Sequence, residues 1–300
     1  MSYESSGYKV FKAINFTIML LIIVVTVYPY LHITAKALNE GYDTMRGGLT
    51  IFPRSFTWEN FSVLLRDATM LQALYITISR VVVNTFLSLI VTFTAAYVMS
   101  KPRFPFKNTA LMILVIPMFI HAGLIPTYVL YSKIGLLNNY WVYILPSLFS
   151  FFNMILIRTY IRSSVPESLE ESAKMDGAGE FTVMLRIILP LCMPILAAIT
   201  LFEAVGSWND WTTTLYFVTN PDLFTLQYKL MQVIKESESL MRLMAEAALT
   251  GQDTSQMQFS ATPESLISAQ IVLTTVPIIM VYPFLQRYFV NGIMIGAVKE

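Results

Sequence analysis

Charge is the first thing this sequence has little of. Asp, Glu, Lys and Arg make up 13% of the 300 residues, about half the share of a soluble globular domain, which excludes an ordinary soluble enzyme. The 20 basic residues are balanced by 19 acidic ones, for a net charge of +1. No bulk field therefore points to nucleic acid or another polyanion. The single cysteine, Cys192, excludes an intrachain disulfide framework and a Cys-rich zinc site, and two histidines, His32 and His121, do not make a metal centre alone. What the chain has is apolar bulk: 55% hydrophobic residues and a mean hydropathy of +0.60. That is the composition of a protein with several membrane spans, each needing about 20 apolar residues.

Six long, nearly charge-free runs stand out: Phe16–Ile33, Val81–Met99, Thr109–Tyr131, Tyr140–Ile161, Ile187–Trp208 and Leu266–Phe289. An even number puts both termini on one side. Lys9, Lys12, Lys101, Arg103, Lys107, Arg158, Arg162, Lys174, Arg186, Arg287 and Lys299 fall in the short segments that alternate with two long loops. By the positive-inside rule those segments are cytoplasmic. Lys9 and Lys12 before the first run imitate a signal peptide, but the run exceeds the ~7–15 apolar residues of a signal core and reads as a retained span. The predicted organisation is residues 1–80 as tail, first span and external segment, and 81–300 as the membrane core with an external loop at 209–265. In that loop Leu226–Ala248 has helical amphipathic spacing, and Thr250–Phe259 reads as a polar, flexible tip.

The cytoplasmic segment 163–186 is long enough to fold. Pro166 suits a first helical turn, Glu167, Glu170 and Glu171 suit its positive dipole end, and Gly177 after Asp176 suits a left-handed stop. These predict a helix over 166–176 whose Leu169, Ser172, Ala173 and Asp176 share one small face, suited to docking against a protein. The other reading is a helix resting on lipid head groups, which the three glutamates and weak apolar stripe disfavour.

Glu171-Ser-Ala-Lys-Met-Asp176-Gly177-Ala178, with nine residues between Gly177 and Ile187 and then Leu189-Pro190, resembles the EAA motif of permease subunits of ATP-binding-cassette importers. Pro194, Ser207-Trp-Asn-Asp-Trp211 and the ending Arg287-Tyr-Phe-Val-Asn-Gly-Ile-Met-Ile-Gly296-Ala-Val-Lys-Glu300 resemble the carbohydrate branch, in particular its smaller maltose-type permease. The first Ala of the motif is Ser172 here, and the loop after span five is longer than in that family. The resemblance implies an all-α membrane protein of the type I importer permease fold, with six transmembrane helices and a cytoplasmic coupling helix. It assigns ATPase coupling to Glu170, Glu171, Ser172, Ala173, Asp176, Gly177, Ala178, Leu189 and Pro190. It also implies a multi-pass protein of the bacterial plasma (inner) membrane with both termini cytoplasmic. The implied partners are a second permease subunit, two ATP-binding subunits, an extracytoplasmic solute-binding protein, membrane lipid and a carbohydrate substrate. The tail from Gly296 to Glu300 is expected to reach toward the ATPase subunits. No G-x-x-x-x-G-K-[ST] phosphate loop occurs, so no cofactor is expected on this chain, with ATP and Mg on partner subunits.

Polar groups inside the apolar runs are functional candidates by default. Glu203, 16 residues after Ile187 and hence ~24 Å along a helix, faces either a water-filled vestibule or the outer head groups. Asn84, His121 and Asn153 are candidates for the substrate path, with structural hydrogen bonding favoured for each. Trp208 is also a path candidate, although with Trp211 it is most simply an aromatic-belt anchor, and Arg80 is expected to snorkel to the interface. Pro190 and Pro194 predict a kink at the start of span five. An ion- or proton-coupled secondary carrier is the alternative. No inverted repeat or cluster of intramembrane acids speaks for it.

Overall fold

The computed structural model describes residues 6–102, 104–120, 122–249 and 262–297. Three stretches are long and apolar enough to cross a membrane unbroken: α1 (Ser6–Ala37), α4 (Ala68–Ser100) and the Pro263–Val281 part of α14 (Pro263–Ala297). Three broken pairs pass the same test together. They are α5 (Lys107–Phe119) with α6 (Leu124–Lys133), a 3-10 segment Tyr140–Ser147 with α7 (Phe151–Ser164), and Glu180–Leu191 with α11 (Met193–Asn209). Among the described residues there are thus three unbroken helices able to cross, or up to six crossings if each broken pair is one span.

The differences from the sequence reading have local causes. α4 starts at Ala68 rather than Val81, because Ala68–Arg80 contains no Pro or Gly and simply continues the helix. The fourth run breaks by 46° near Pro146, and Ser150 restarts it by accepting the Asn153 amide on its hydroxyl at 3.3 Å. The fifth breaks by 79° at Cys192, between Pro190 and Pro194, as their missing N–H groups predict. Just before this break, Met184–Ile188 forms a π-helical turn.

Packing divides the chain into two compact units. One takes in the residues up to Ala68 together with Leu230–Val276; the other holds Thr69–Lys229 and the residues from Pro277. In the first, the segment after α1 is ordered by two buried asparagines. Asn39 Oδ1 accepts the amides of Arg54 and Ser55, both at 2.8 Å, and Asn60 Nδ2 donates to the carbonyls of Ala37 and Asn39. Ser265 donates to Asn60 Oδ1 at 2.9 Å, and Lys36 pairs with Glu264 at 2.6 Å. The amphipathic stretch forms α13 (Leu226–Leu249), whereas the tip expected at 250–259 lies outside the described residues. The apolar side chains of α1 from Phe11 to Val25 are exposed on the chain itself, as befits a helix solvated by lipid.

The core of the second unit joins α4, α7 and the elements around the proline break. Phe93, Tyr97, Met154, Ile157, Val183, Ile188, Cys192 and Ile199 are its buried side chains. A smaller cluster of Ile76, Val142, Tyr143, Ile144, Val218 and Phe224 packs around the 3-10 segment.

Candidate functional site

The segment after α7 folds as the sequence predicts. Helix α8 (Glu167–Met175) has Pro166 at its N-cap and Asp176 at its C-cap, and Gly177 follows at φ +84°. The Ala178 amide donates to the Ala173 carbonyl and the Gly177 amide to Lys174, the bond pair of a left-handed helix stop. One detail is corrected: Ala173 and Ala178 turn inward against the chain's own core, while Leu169 and Met175 stay exposed. The outward face of α8 is therefore larger and more apolar than the small face read from spacing.

A charge network holds α8 to the end of α4. Lys101 pairs with Glu170 and lies 3.5 Å from Glu180; Lys174 reaches Glu170 at 2.9 Å and Glu180 at 2.6 Å. The Lys101 ammonium also sits 3.9 Å from the Tyr97 ring centroid, and Tyr97 donates to Glu180 Oε2 at 2.8 Å. Burial opposes the charged form of Glu170, but hydrogen bonds from Lys101 and Lys174 outweigh it and hold the carboxyl below its usual range. Glu180 and Glu170 raise Lys174 above the lysine value of 10.5. The share due to Glu170 is lost as pH falls through its depressed pKa, and that of Lys174 as pH rises through its raised one, so the network spans the whole neutral range. These residues line a cleft of about 320 Å³ together with Pro102, Glu167 and Glu171.

The candidates in the apolar runs form a second polar centre, among α4, the 3-10 segment, α7 and α11. Asn84 donates to Ser207 Oγ at 2.9 Å and accepts from Ser147 at 2.7 Å; Asn153 donates to Glu203 Oε1 at 2.5 Å. Arg80, Asn84, Tyr143, Ser147, Glu203 and Asp210 share the wall of a cavity of about 300 Å³. Asn84 and Asn153 thus make the interhelical bonds expected of them, and Glu203 faces the cavity. His121 lies outside the described residues.

Arg80 does not snorkel. It is 3% exposed, donating through Nη2 to Asp210 Oδ2 at 2.7 Å and through Nη1 to the Asp210 carbonyl at 3.1 Å, with its guanidinium 4.6 Å from the Tyr143 ring centroid. Burial comes from its place one helical turn before Asn84, on the face α4 turns to Asp210, so an ion pair is available where a route to the interface is not. Trp208 is buried instead of standing in an interfacial belt, and lines a separate apolar hollow of about 230 Å³ with Val81, Val82 and Pro277. Sequence reasoning missed Ser207 and Asp210 as partners. The available signal was Arg80 itself, a cation in an apolar helix that requires an acid at similar depth.

Bent helices around an intramembrane polar cavity, with a short charged helix hung between two of them, define a membrane permease of the type I importer fold. A family model described as "Binding-protein-dependent transport system inner membrane component" matches residues 84–295. Protein LplC of Bacillus subtilis is 36% identical over 298 residues, covering 99% of this chain and 97% of that protein. The polygalacturonan/rhamnogalacturonan transport system permease YtcP of the same organism is 28% identical over 292 residues, covering 97% and 99%. Among solved structures, a chain of a bacterial ABC transporter involved in import of the acidic polysaccharide alginate superposes with a TM-score of 0.83 at 28% identity, covering 96% of this chain and all of that one. The chain belongs to the inner-membrane components of binding-protein-dependent transport systems. It is a permease subunit of an ABC importer, and ATP hydrolysis is carried out on separate subunits.

The buried ion pair makes a first prediction. Asp210 Oδ1 also caps the following helix by accepting the amides of Thr212 and Thr213. Asp210→Asn keeps that oxygen but strands the Arg80 charge, at an expected cost of about 3–5 kcal/mol. Adding Arg80→Met should recover most of the loss. Thermal unfolding of the purified complex measures both; an unchanged Tm for the single variant would contradict the pairing.

Proposed function

We propose that this permease carries oligosaccharides, with α8 as the helix through which partner ATPase subunits drive the membrane segments. It works beside a second permease subunit, two ATP-binding subunits holding ATP and Mg, and an extracytoplasmic binding protein that delivers the solute. Membership of the importer family removes the secondary-carrier alternative. The observation that carries the coupling role is the build of α8: an exposed Leu169 and Met175, a left-handed stop at Gly177, and a charge network fixing the helix to α4. Glu170 belongs to that network. Glu171, Ser172 and Asp176 remain exposed for a partner, Ala173 and Ala178 seat the helix on its own core, and Leu189 and Pro190 belong to the bent connection to α11.

Both termini are assigned to the cytoplasm from the distribution of Lys and Arg. Labels at Lys101 and Glu180 should then react from the cytoplasmic side alone, and a label at Arg46 from outside alone. Outside labelling of Glu180 would reverse the assignment.

Gly177→Leu tests the coupling role. A Cβ at this position meets no atom within 4 Å, so the burden is backbone strain at φ +84°, about 1–2 kcal/mol for a non-glycine residue. The variant should insert normally and keep ATP hydrolysis while transport falls at least several-fold; transport at the wild-type rate would remove the argument.

The sugar assignment is supported by Ser207–Trp211, by the hydroxyl-compatible groups of the polar cavity, and by relatives named for polysaccharide import. Asn84, Asn153, Glu203, Trp208 and His121 remain the candidate path residues. Because Asn84, Asn153 and Glu203 already hold one another's helices, their substitution should alter transport only moderately. In the reconstituted complex, binding protein offered oligosaccharides should stimulate ATP hydrolysis, and amino acids, peptides or phosphate should not. Stimulation by a non-sugar alone overturns the substrate and leaves the importer standing.

A further inference from the structure

The coupling network uses Lys101 and Lys174, but three other cations gather at the same end of α4. Lys107 Nζ donates to the carbonyls of Ser100 at 3.3 Å and Lys101 at 2.9 Å, and Arg158 Nε donates to the Met99 carbonyl at 2.9 Å. Arg162 lies one turn beyond Arg158 on α7. Lys107 sits in the electrostatic field of both arginines, and Arg158 in that of Arg162. Among the described residues, none of the three forms an ion pair with a carboxylate: Glu170 and Glu180 are taken by Lys101 and Lys174.

The α4 carbonyls explain part of this cluster and not all of it. A helix C-terminus supplies roughly half a negative charge, against three full positive ones. The carbonyls anchor Lys107 and Arg158 but leave the Nη edge of Arg158 and the whole head of Arg162 without a protein acceptor among the described residues. Two half-buried cations held in place by backbone carbonyls, with a third exposed beside them, make a prearranged seat for an anion.

The surroundings identify which anion. Lys107 stands just before the apolar run of α5, and Arg158 and Arg162 close the apolar run of α7, so the cluster lies at the depth where spans meet head groups. Between Lys101 and Lys107 the chain reads Pro-Arg-Phe-Pro-Phe, and Phe106 is 84% exposed at φ +56°. A bulky residue at positive φ is strained, and an exposed ring gains nothing from water. Among acyl chains the same ring is buried.

We propose that Lys107, Arg158 and Arg162 form a binding site for the phosphate of an anionic phospholipid head group, with Phe106 seated among the acyl chains beside it. The orientation proposed above decides only which leaflet supplies the lipid. A phosphodiester bound here would offset one of the three charges and clamp the C-terminal end of α4 to the start of α5 and the end of α7.

The test uses the complete importer in detergent and in nanodiscs of phosphatidylcholine with or without phosphatidylglycerol, and native mass spectrometry to follow retained phosphatidylglycerol. Each charge removed by Lys107→Gln, Arg158→Gln or Arg162→Gln should weaken retention about fivefold, from the ~1 kcal/mol contributed by a basic residue at an anionic surface. Among the described residues Arg162→Gln breaks no hydrogen bond, so this variant separates loss of the charge from loss of structure. Inorganic phosphate should fail to displace the lipid, because it offers no acyl chain to Phe106. Unchanged retention in all three variants overturns the proposal. So does equal displacement by inorganic phosphate, which would mark a free-anion site, or loss of the ATPase subunits with lipid retention intact, which would mark a protein contact.

Discussion

Hydrocarbon offers the backbone no hydrogen-bond partner, and this constraint shapes everything in the chain that enters it. Helices satisfy their own amides, so the apolar runs are helical. The interesting places are where the ladder stops. Three interruptions in the second unit are met by a side chain: Asn139 Oδ1 accepts the Trp141 amide, Ser150 the Asn153 amide, and Asp210 those of Thr212 and Thr213. At the Cys192 break the prolines bring no amide to satisfy, which is why a bend of 79° is tolerated there. Asp210 belongs to both sets, since it caps a helix and also pairs with Arg80 in the wall of the polar cavity.

The Ser207–Trp211 segment shows how several constraints meet in five residues. Ser207 receives Asn84, Trp208 lines the apolar hollow beside α4, and Asp210 both neutralises Arg80 and caps the next helix. The two links from α4 are of unlike kind. A neutral interhelical bond such as Asn84–Ser207 contributes about 1 kcal/mol in a membrane. The Arg80–Asp210 pair adds little net stability over an apolar replacement but makes loss of either member costly. The segment therefore fixes register between α4 and α11 more than it adds free energy.

How much of this was legible in the sequence follows the range of each interaction. Local signals read correctly: the start and stop of α8, the proline break in span five, and the amphipathic α13. The apolar runs were located, but the break in the fourth was not, because apolar composition does not report a change of axis. Arg80 was misread because snorkelling is the cheapest fate of an arginine considered alone; its acid lies 130 residues away, and only the fold brings them to 2.7 Å. The same non-locality hid Ser207 as the partner of Asn84 and placed Trp208 in the interior. Resemblance to a family supplied the proposed coupling residues, whereas the residue that ties α8 to α4, Lys101, has no motif to announce it.

That tie bears on how force would pass through the molecule. Helix α8 is attached at two points: by charge to the end of α4, and by chain through the π-helical turn and Pro190 to α11. The first attachment is short and multiply bonded, with Lys101 held by two carboxylates and an aromatic face. The second contains a π-turn and a bend, the least regular stretch of helix in the unit. A push on the exposed Leu169 and Met175 would therefore move α4 with α8 nearly as one body, while the motion of α11 is taken up at Cys192. Above that bend α11 is again bound to α4, through Ser207 and Asp210. The two helices are thus joined at both ends and bent in one, so the coupling role proposed for α8 would act by changing the angle between them at the level of Asn153 and Glu203, where the polar cavity lies.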